Sequence, residues 1–146
     1  MQINTSRFGS VSMEPDDILL FPHGLAGFEQ LRHFVILADA DNDAVGWLQS
    51  ISEAETALPV VSPRRFVVDY QVRVPASELT ALQLAGPDRA FVLAVVSKQD
   101  GRLTINLRAP VVINLDRRLG RQLITKDDQP LRHEIAVLPE QLRKSA

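Results

Sequence analysis

Proline or glycine interrupts this chain so often that its apolar runs last only a few residues, and that punctuation decides the fold class. A run of that length is too short for a stable isolated helix, but it is the usual length of a strand. Ile18, Leu19, Leu20 and Phe21 stop at Pro22 and Gly24, and Phe34, Val35, Ile36 and Leu37 run into the acidic residues 39–43. Residues 45–51 follow and hold the only tryptophan. Pro59 interrupts the run 57–61; without an N–H to donate, it belongs at a sheet edge or a bulge. Tyr70, Val72 and Val74 alternate with Gln71 and Arg73, the period of a half-buried strand. Residues 91–96 are the most apolar stretch and read as a central strand. Asp100-Gly101 then provides a hairpin turn into residues 103–106. Further strands are expected at 111–115, after Pro110, and at 122–124, after Gly120. Helical signals occur at 75–82, where Pro75 takes an early helical position, and at 139–144, where acid precedes base as the helix dipole prefers. The expected fold is mostly β: a compact antiparallel β-barrel-like single domain spanning residues 1–146, with one or two short helices.

A chain of 146 residues is long enough for one packed core, folding at this size burying roughly two-thirds of the unfolded surface. It contains no cysteine, which removes disulfides and thiolate metal sites. Charges of both signs are mixed and the net charge is -2. That balance argues against direct nucleic-acid binding or attachment to a membrane surface, each of which needs a concentrated basic field. No apolar run approaches a bilayer span, and the start lacks the pattern of a secretion signal. A cytoplasmic location is expected.

Catalytic and metal motifs are weak. Asp39, Asp41 and Asp43 copy the first three ligand positions of a calcium loop, but the sixth position is Ala44 rather than glycine and the twelfth is Ser50 rather than glutamate. A solvated acidic turn is the simpler reading. His23, His33 and His133 are too far apart in sequence for a helical metal pair. No nucleophile elbow or phosphate-binding glycine loop is present. Asp16-Asp17 and Asp127-Asp128 are adjacent pairs, which in a strand point to opposite faces. Arg117, Arg118 and Arg121 form the densest basic cluster; lacking interleaved aromatics, it reads as a charged strand edge more than a nucleic-acid platform. These observations favour binding over catalysis, with no cofactor expected.

Polar residues inside β-forming runs are the remaining signal. Asn106 and Asn114 sit where asparagine is disfavoured. If Val111, Ile113 and Leu115 face the core, Val112, Asn114 and Asp116 share the other face. Each amide could satisfy a turn or bulge, or could present itself to a partner. Trp47 poses the same choice, since a lone tryptophan serves a core or a binding hot spot equally well.

Several of these segments together resemble a known family. They are Thr5-x-Arg7-Phe8-Gly9, Ile18-x-x-Phe21-Pro22-x-Gly24-Leu25-x-Gly27-Phe28-Glu29, Trp47-Leu48-Gln49-Ser50, Thr104-x-Asn106-Leu107-x-Ala109-Pro110 with Asn114, then Gln122 and Arg132-His133. In order and spacing the chain is similar to the flagellar assembly factors of the FliW family. It departs at Ala26, where the family usually has proline, and in Arg64-Arg65-Phe66 before Asp69-Tyr70. The resemblance implies a β-barrel-like fold without catalysis or cofactor, and two protein partners: flagellin and the translational repressor CsrA. Antagonism of CsrA would relieve repression of flagellin translation. It also makes Trp47, Gln49, Asn106, Arg108 and Asn114 candidate partner contacts. Two alternatives stand beside it: a flagellin-binding chaperone without repressor antagonism, and a small metal-binding or enzymatic β-barrel built on the histidines and the acidic loop.

Overall fold

Short strands cannot bury themselves singly, and here they pair into a ring. In chain order they are β1 (Gln2–Thr5), β2 (Gly9–Ser12), β3 (Leu19–Leu20), β4 (His33–Ala38), β5 (Val45–Ser50) and β6 (Ala57–Val61). One helix, α1 (Ala76–Ala81), precedes β7 (Phe91–Gln99), β8 (Arg102–Ile105), β9 (Val111–Asn114), β10 (Leu119–Gln122) and β11 (His133–Ile135). The computed structural model describes residues 1–86 and 89–135. The helix expected at 139–144 lies outside them.

The hydrogen-bonded order β7-β6-β5-β4-β3-β10-β9 returns to β7 through the pairing of β7 with β9, closing a seven-stranded barrel. Every ladder is antiparallel except the contact of Leu119 with Leu20, where β10 meets β3 in parallel. β8 and β11 extend from the far end of β7. As the most apolar run, β7 is indeed central, pairing with β6, β8 and β9. The β7–β8 turn places both Asp100 (φ 52) and Gly101 (φ 77) in the left-handed region, as a two-residue hairpin with matching strand twist requires. Pro59 lies where β6 has a ladder only with β5, since the β6–β7 pairing covers Val60 and Val61 alone.

Alternation along these strands sends side chains to two buried layers. Inside the barrel, Leu19, Phe21, Phe34, Leu48, Val60, Leu93, Val111 and Ile113 form one cluster, with the Phe21 and Phe34 rings edge to face at 5.5 Å. Outside, Val45, Trp47, Val61, Ala94 and Val96 are covered by β8, β11 and Tyr70. The β1–β2 hairpin lays Ile3 against Val35. Leu82, which caps the end of α1, and Leu123, just after β10, cover Val112, with Leu84 and Leu119 packed against them.

Three expectations need correction. Residues 70–74 bury Tyr70 and half-bury Val72 and Val74 but join no ladder, because period-two burial reports the lining of a surface and not pairing. All four residues of β9 are buried, so Asn114 and Val112 face a second core under α1, while Leu115 is 42 % exposed in the turn. The strand expected at 122–124 ends at Gln122, and Ile124 projects outward at 77 % exposure.

Helix α1 is too short to persist alone and is held at both ends. The carbonyl of Pro75 accepts from the N–H groups of Glu78 and Leu79. At the other end Gln83 (φ 57) reverses the chain, its N–H bonding the Thr80 carbonyl while Leu84 N–H bonds that of Leu79. This is the paired closing pattern of a helix C-terminus, normally made by glycine.

Candidate partner-binding surface

The five candidate contacts separate into an inner and an outer set. Trp47 is 2 % exposed. Its indole Nε1 donates to Asp39 Oδ1 at 3.0 Å, Phe8 meets it edge-on at 6.0 Å between centroids, and the Arg7 guanidinium carbon stands 4.1 Å over its ring. The acidic turn after β4 therefore anchors the tryptophan: Asp39 also accepts from Asp41 N–H, and Asn42 from Ala44 N–H.

Gln49, near the end of β5, is fully buried beneath the loop joining β5 to β6. Its Nε2 faces the carbonyls of Ser50, Glu53, Ala54 and Thr56 at 3.0–3.4 Å. The amide draws the loop together, adding to carbonyls of which three (Glu53, Ala54 and Thr56) also accept from backbone N–H groups, although its Oε1 is buried without a partner among the described residues. Asn114 is equally committed. Nδ2 donates to the carbonyls of Leu82 (2.9 Å) and Gln83 (3.0 Å), and Oδ1 accepts from the N–H groups of Asp116 and Arg117. It ties the reversal after α1 to the turn after β9.

Asn106 and Arg108 lie further out. Asn106 Oδ1 accepts from the N–H groups of Arg108 (3.1 Å) and Ala109 (2.9 Å), an Asx turn that ends β8 before Pro110. Arg108 is exposed. Its Nε donates to the Gln129 carbonyl at 3.0 Å, and its own carbonyl accepts from Thr125 N–H. Together with the bond from Leu107 N–H to the Pro130 carbonyl, these contacts lay residues 124–131 alongside Arg108. Ile124 is 77 % and Leu131 45 % exposed there. An exposed arginine bordered by two uncovered aliphatic residues has the composition of a protein-binding patch. Residues 124 and 131 carry no periodicity of their own, so only the folded loop reveals them.

Two further residues join the site to the barrel. Gln122 Nε2 donates to the Ala109 carbonyl at 3.0 Å, and its Oε1 accepts from Ala26 N–H at 2.8 Å, linking two segments distant in sequence. Tyr70 donates its hydroxyl to the Leu107 carbonyl at 2.6 Å. Burial, with the nearby Asp127 carboxylate adding to it, pushes the phenol up to about 12 from 10.0. The neutral form is thus favoured in the folded state, and its contribution to stability is complete below pH 10.0 and lost as pH rises towards 12. Across that interval an alkaline titration of stability is expected to fall by about 2 kcal/mol. Tyr70→Phe should cost roughly 1–2 kcal/mol at neutral pH and flatten that decline; an unchanged alkaline slope would assign it to other groups.

Among the described residues no group of three or more His, Asp or Glu side chains could hold a metal ion. His33 lies in β4 and His133 in β11, far apart in the strand order. No helix among them is long and apolar enough to cross a membrane.

The sequence and the fold have counterparts among known proteins. The family described as FliW protein matches residues 2–135. The flagellar assembly factor FliW of Moorella thermoacetica is 40% identical over 139 residues, covering 92% of this chain and 88% of the relative. That of Bdellovibrio bacteriovorus is 38% identical over 130 residues, covering 88% and 74%. A crystal structure of the flagellar assembly factor FliW superposes with a TM-score of 0.83 at 26% identity, covering 97% of this chain and 99% of the other. With the family matched along nearly its whole length, the chain belongs to the FliW family.

Proposed function

We propose that the protein is a cytoplasmic flagellar assembly factor that acts by binding, without catalysis, and holds either flagellin or the translational repressor CsrA. The observation that carries this reading is the family match across residues 2–135. Secretion of flagellin frees the protein, the free protein takes up CsrA, and repression of flagellin translation is relieved. The thermodynamic requirement is negative coupling: each partner lowers the apparent affinity for the other by the same factor.

Arg108, with Ile124, Leu131 and the outer edge of Asn106, is the contact surface in this reading, while Trp47, Gln49 and Asn114 hold its shape from within. Exposed Asp41, Asp43 and Glu53 supply local negative charge that steers a basic RNA-binding protein towards the molecule.

Titration calorimetry with purified flagellin and purified CsrA, each repeated with the other already bound, tests the switch. Mutual weakening supports it, independent additive binding overturns it, and binding of flagellin alone reduces the protein to a chaperone. Arg108→Glu is expected to weaken at least one partner by about 30-fold, the loss of a hot-spot side chain. Its thermal unfolding should fall only slightly, since the exposed side chain gives up one surface hydrogen bond, to the Gln129 carbonyl. Unchanged affinity for both partners would place the contacts elsewhere.

A further inference from the structure

The ladder between β6 and β7 ends at Val61 and Ala94, because β6 turns off into the 3₁₀ turn Pro63–Arg65, where Pro63 has no N–H to pair. β7 runs on to Phe91. The carbonyl of Val95 accepts from Asn106 N–H at 3.1 Å, on the β8 side. Main-chain groups alternate between the two edges of an antiparallel strand, so Val92, three residues away, turns its N–H and C=O to the opposite edge, the one that β6 has left. A cleft of about 240 Å³ opens there. Tyr70, Val72 and Val74 line it beside Ala90, Phe91 and Val92. Residues 71–74 alternate exposed and half-buried outside any ladder, so the cleft has main chain without ladder partners on two of its borders, and its lining mixes apolar side chains with Ser62 and Arg64.

Its surroundings are positively charged. Arg64 lines the cleft, Arg65 and Arg89 flank lining residues in sequence, and Arg73 lies between Val72 and Val74. All four are exposed. Asp127 offsets Arg73 at 3.5 Å, and Asp69 and Asp88 are the other acids close in sequence, leaving four arginines against three carboxylates. Charge on an open strand edge deters unselective pairing, and it also selects what pairs: a basic segment is repelled and an acidic one attracted. The volume is below that of a site for a drug-sized ligand, but it admits one or two side chains of a strand.

We propose that this cleft receives an extended segment of a partner protein, an apolar stretch flanked by carboxylates, which adds as a strand along the free edge of β7 at Val92. In such docking the main-chain bonds supply affinity and the pocketed side chains supply selectivity. The assignment rests on the cleft itself and not on which partners the protein holds elsewhere, so Arg108→Glu would leave it unaffected.

The test is a titration of the ¹⁵N-labelled full chain with three synthetic peptides. One is capped Asp-Glu-Val-Ile-Val-Glu-Asp; the second replaces its acids with lysine; the third is the acidic peptide N-methylated at both valines. The acidic peptide is expected to shift the amide signals of Val72, Val74, Phe91 and Val92. It should bind about tenfold more tightly than the lysine peptide, as one or two partly desolvated charge contacts allow. N-methylation should cost about tenfold, the loss of one or two main-chain hydrogen bonds. The double variant Arg65→Glu, Arg89→Glu, both exposed positions, should invert the charge preference while keeping the parent melting temperature. The proposal is overturned by shifts confined to other residues, by equal affinity for acidic and basic peptides, by indifference to N-methylation, or by no binding at millimolar peptide. Concentration-dependent self-association that shifts the same amides without peptide would also overturn it, by making a second copy of this chain the occupant.

Discussion

Gly120→Ala should destabilise the barrel by about 3–4 kcal/mol, at or above the usual cost of overpacking. A Cβ built on Gly120 would lie 2.5 Å from Cε2 and 3.0 Å from Cδ2 of Phe21. That ring has no free direction in which to retreat. It is fully buried, meets Phe34 edge to face, and its backbone N–H is tied to the Arg32 carbonyl at 2.7 Å. The position is also the seam of the barrel, one residue beyond the parallel contact of Leu119 with Leu20, so relief by displacing β10 would loosen the closure. The backbone of Gly120 is not left-handed, so alanine itself fits the chain, and its lower unfolded-state entropy returns only about 0.5–1 kcal/mol. Urea unfolding of Gly120→Ala, Phe21→Leu and the double variant measures the argument. Phe21→Leu alone removes packed atoms and destabilises, yet in the Gly120→Ala background it should restore more than half of the loss, because it vacates the space that the new methyl needs. Strictly additive effects would show that Gly120 is required for something other than the ring.

The seam illustrates what the sequence could and could not say. The strands were legible because β-forming residues ran between breakers, and the Asp100-Gly101 turn because both positions need positive φ. Closure was not legible. It depends on β7 pairing with β9 and on Leu119 reaching Leu20, contacts with no local signature. The alternation at residues 70–74 announced burial truthfully and pairing falsely, since a side chain packed against an outer face looks the same in sequence as one in a sheet. For the candidate site, Trp47, Asn106 and Asn114 stood out as aromatic or polar residues within strand-forming runs, while Gln49 and Arg108 entered through the family resemblance. Their roles depended on partners that the sequence does not order: an aspartate eight residues away for Trp47, and carbonyls 31 and 32 residues away for Asn114. The outward patch was missed in part because Ile124 and Leu131 lie on an irregular loop, where neither period applies.

Asn114→Ala is expected to be the most damaging single change considered, at about 3–5 kcal/mol, since a buried donor or acceptor left unpaired costs about 1–3 kcal/mol. The side chain is 5 % exposed and satisfies two carbonyls and two N–H groups. Truncation removes the partner of all four: the Leu82 carbonyl in a buried setting, and the Gln83 carbonyl and the Asp116 and Arg117 N–H groups in part-buried ones. The consequence is concentrated on α1, whose six residues do not form a helix unaided. Its closing reversal places Gln83 at φ 57, a conformation costing a non-glycine residue about 1–2 kcal/mol, and the Asn114 amide binds the carbonyls on both sides of that bend. Leu82, the residue that seals Val112, sits at the same point. The loss should therefore appear in native-state hydrogen exchange first at the Gln83 and Leu84 amides, and in urea as a lower midpoint with unchanged slope. Asn106→Ala provides the contrast: it removes only an Asx turn at a half-buried position and should cost roughly 1 kcal/mol. If the two alanine variants proved equally mild, water would have to be replacing the Asn114 amide, and α1 would owe its position to Leu82 alone.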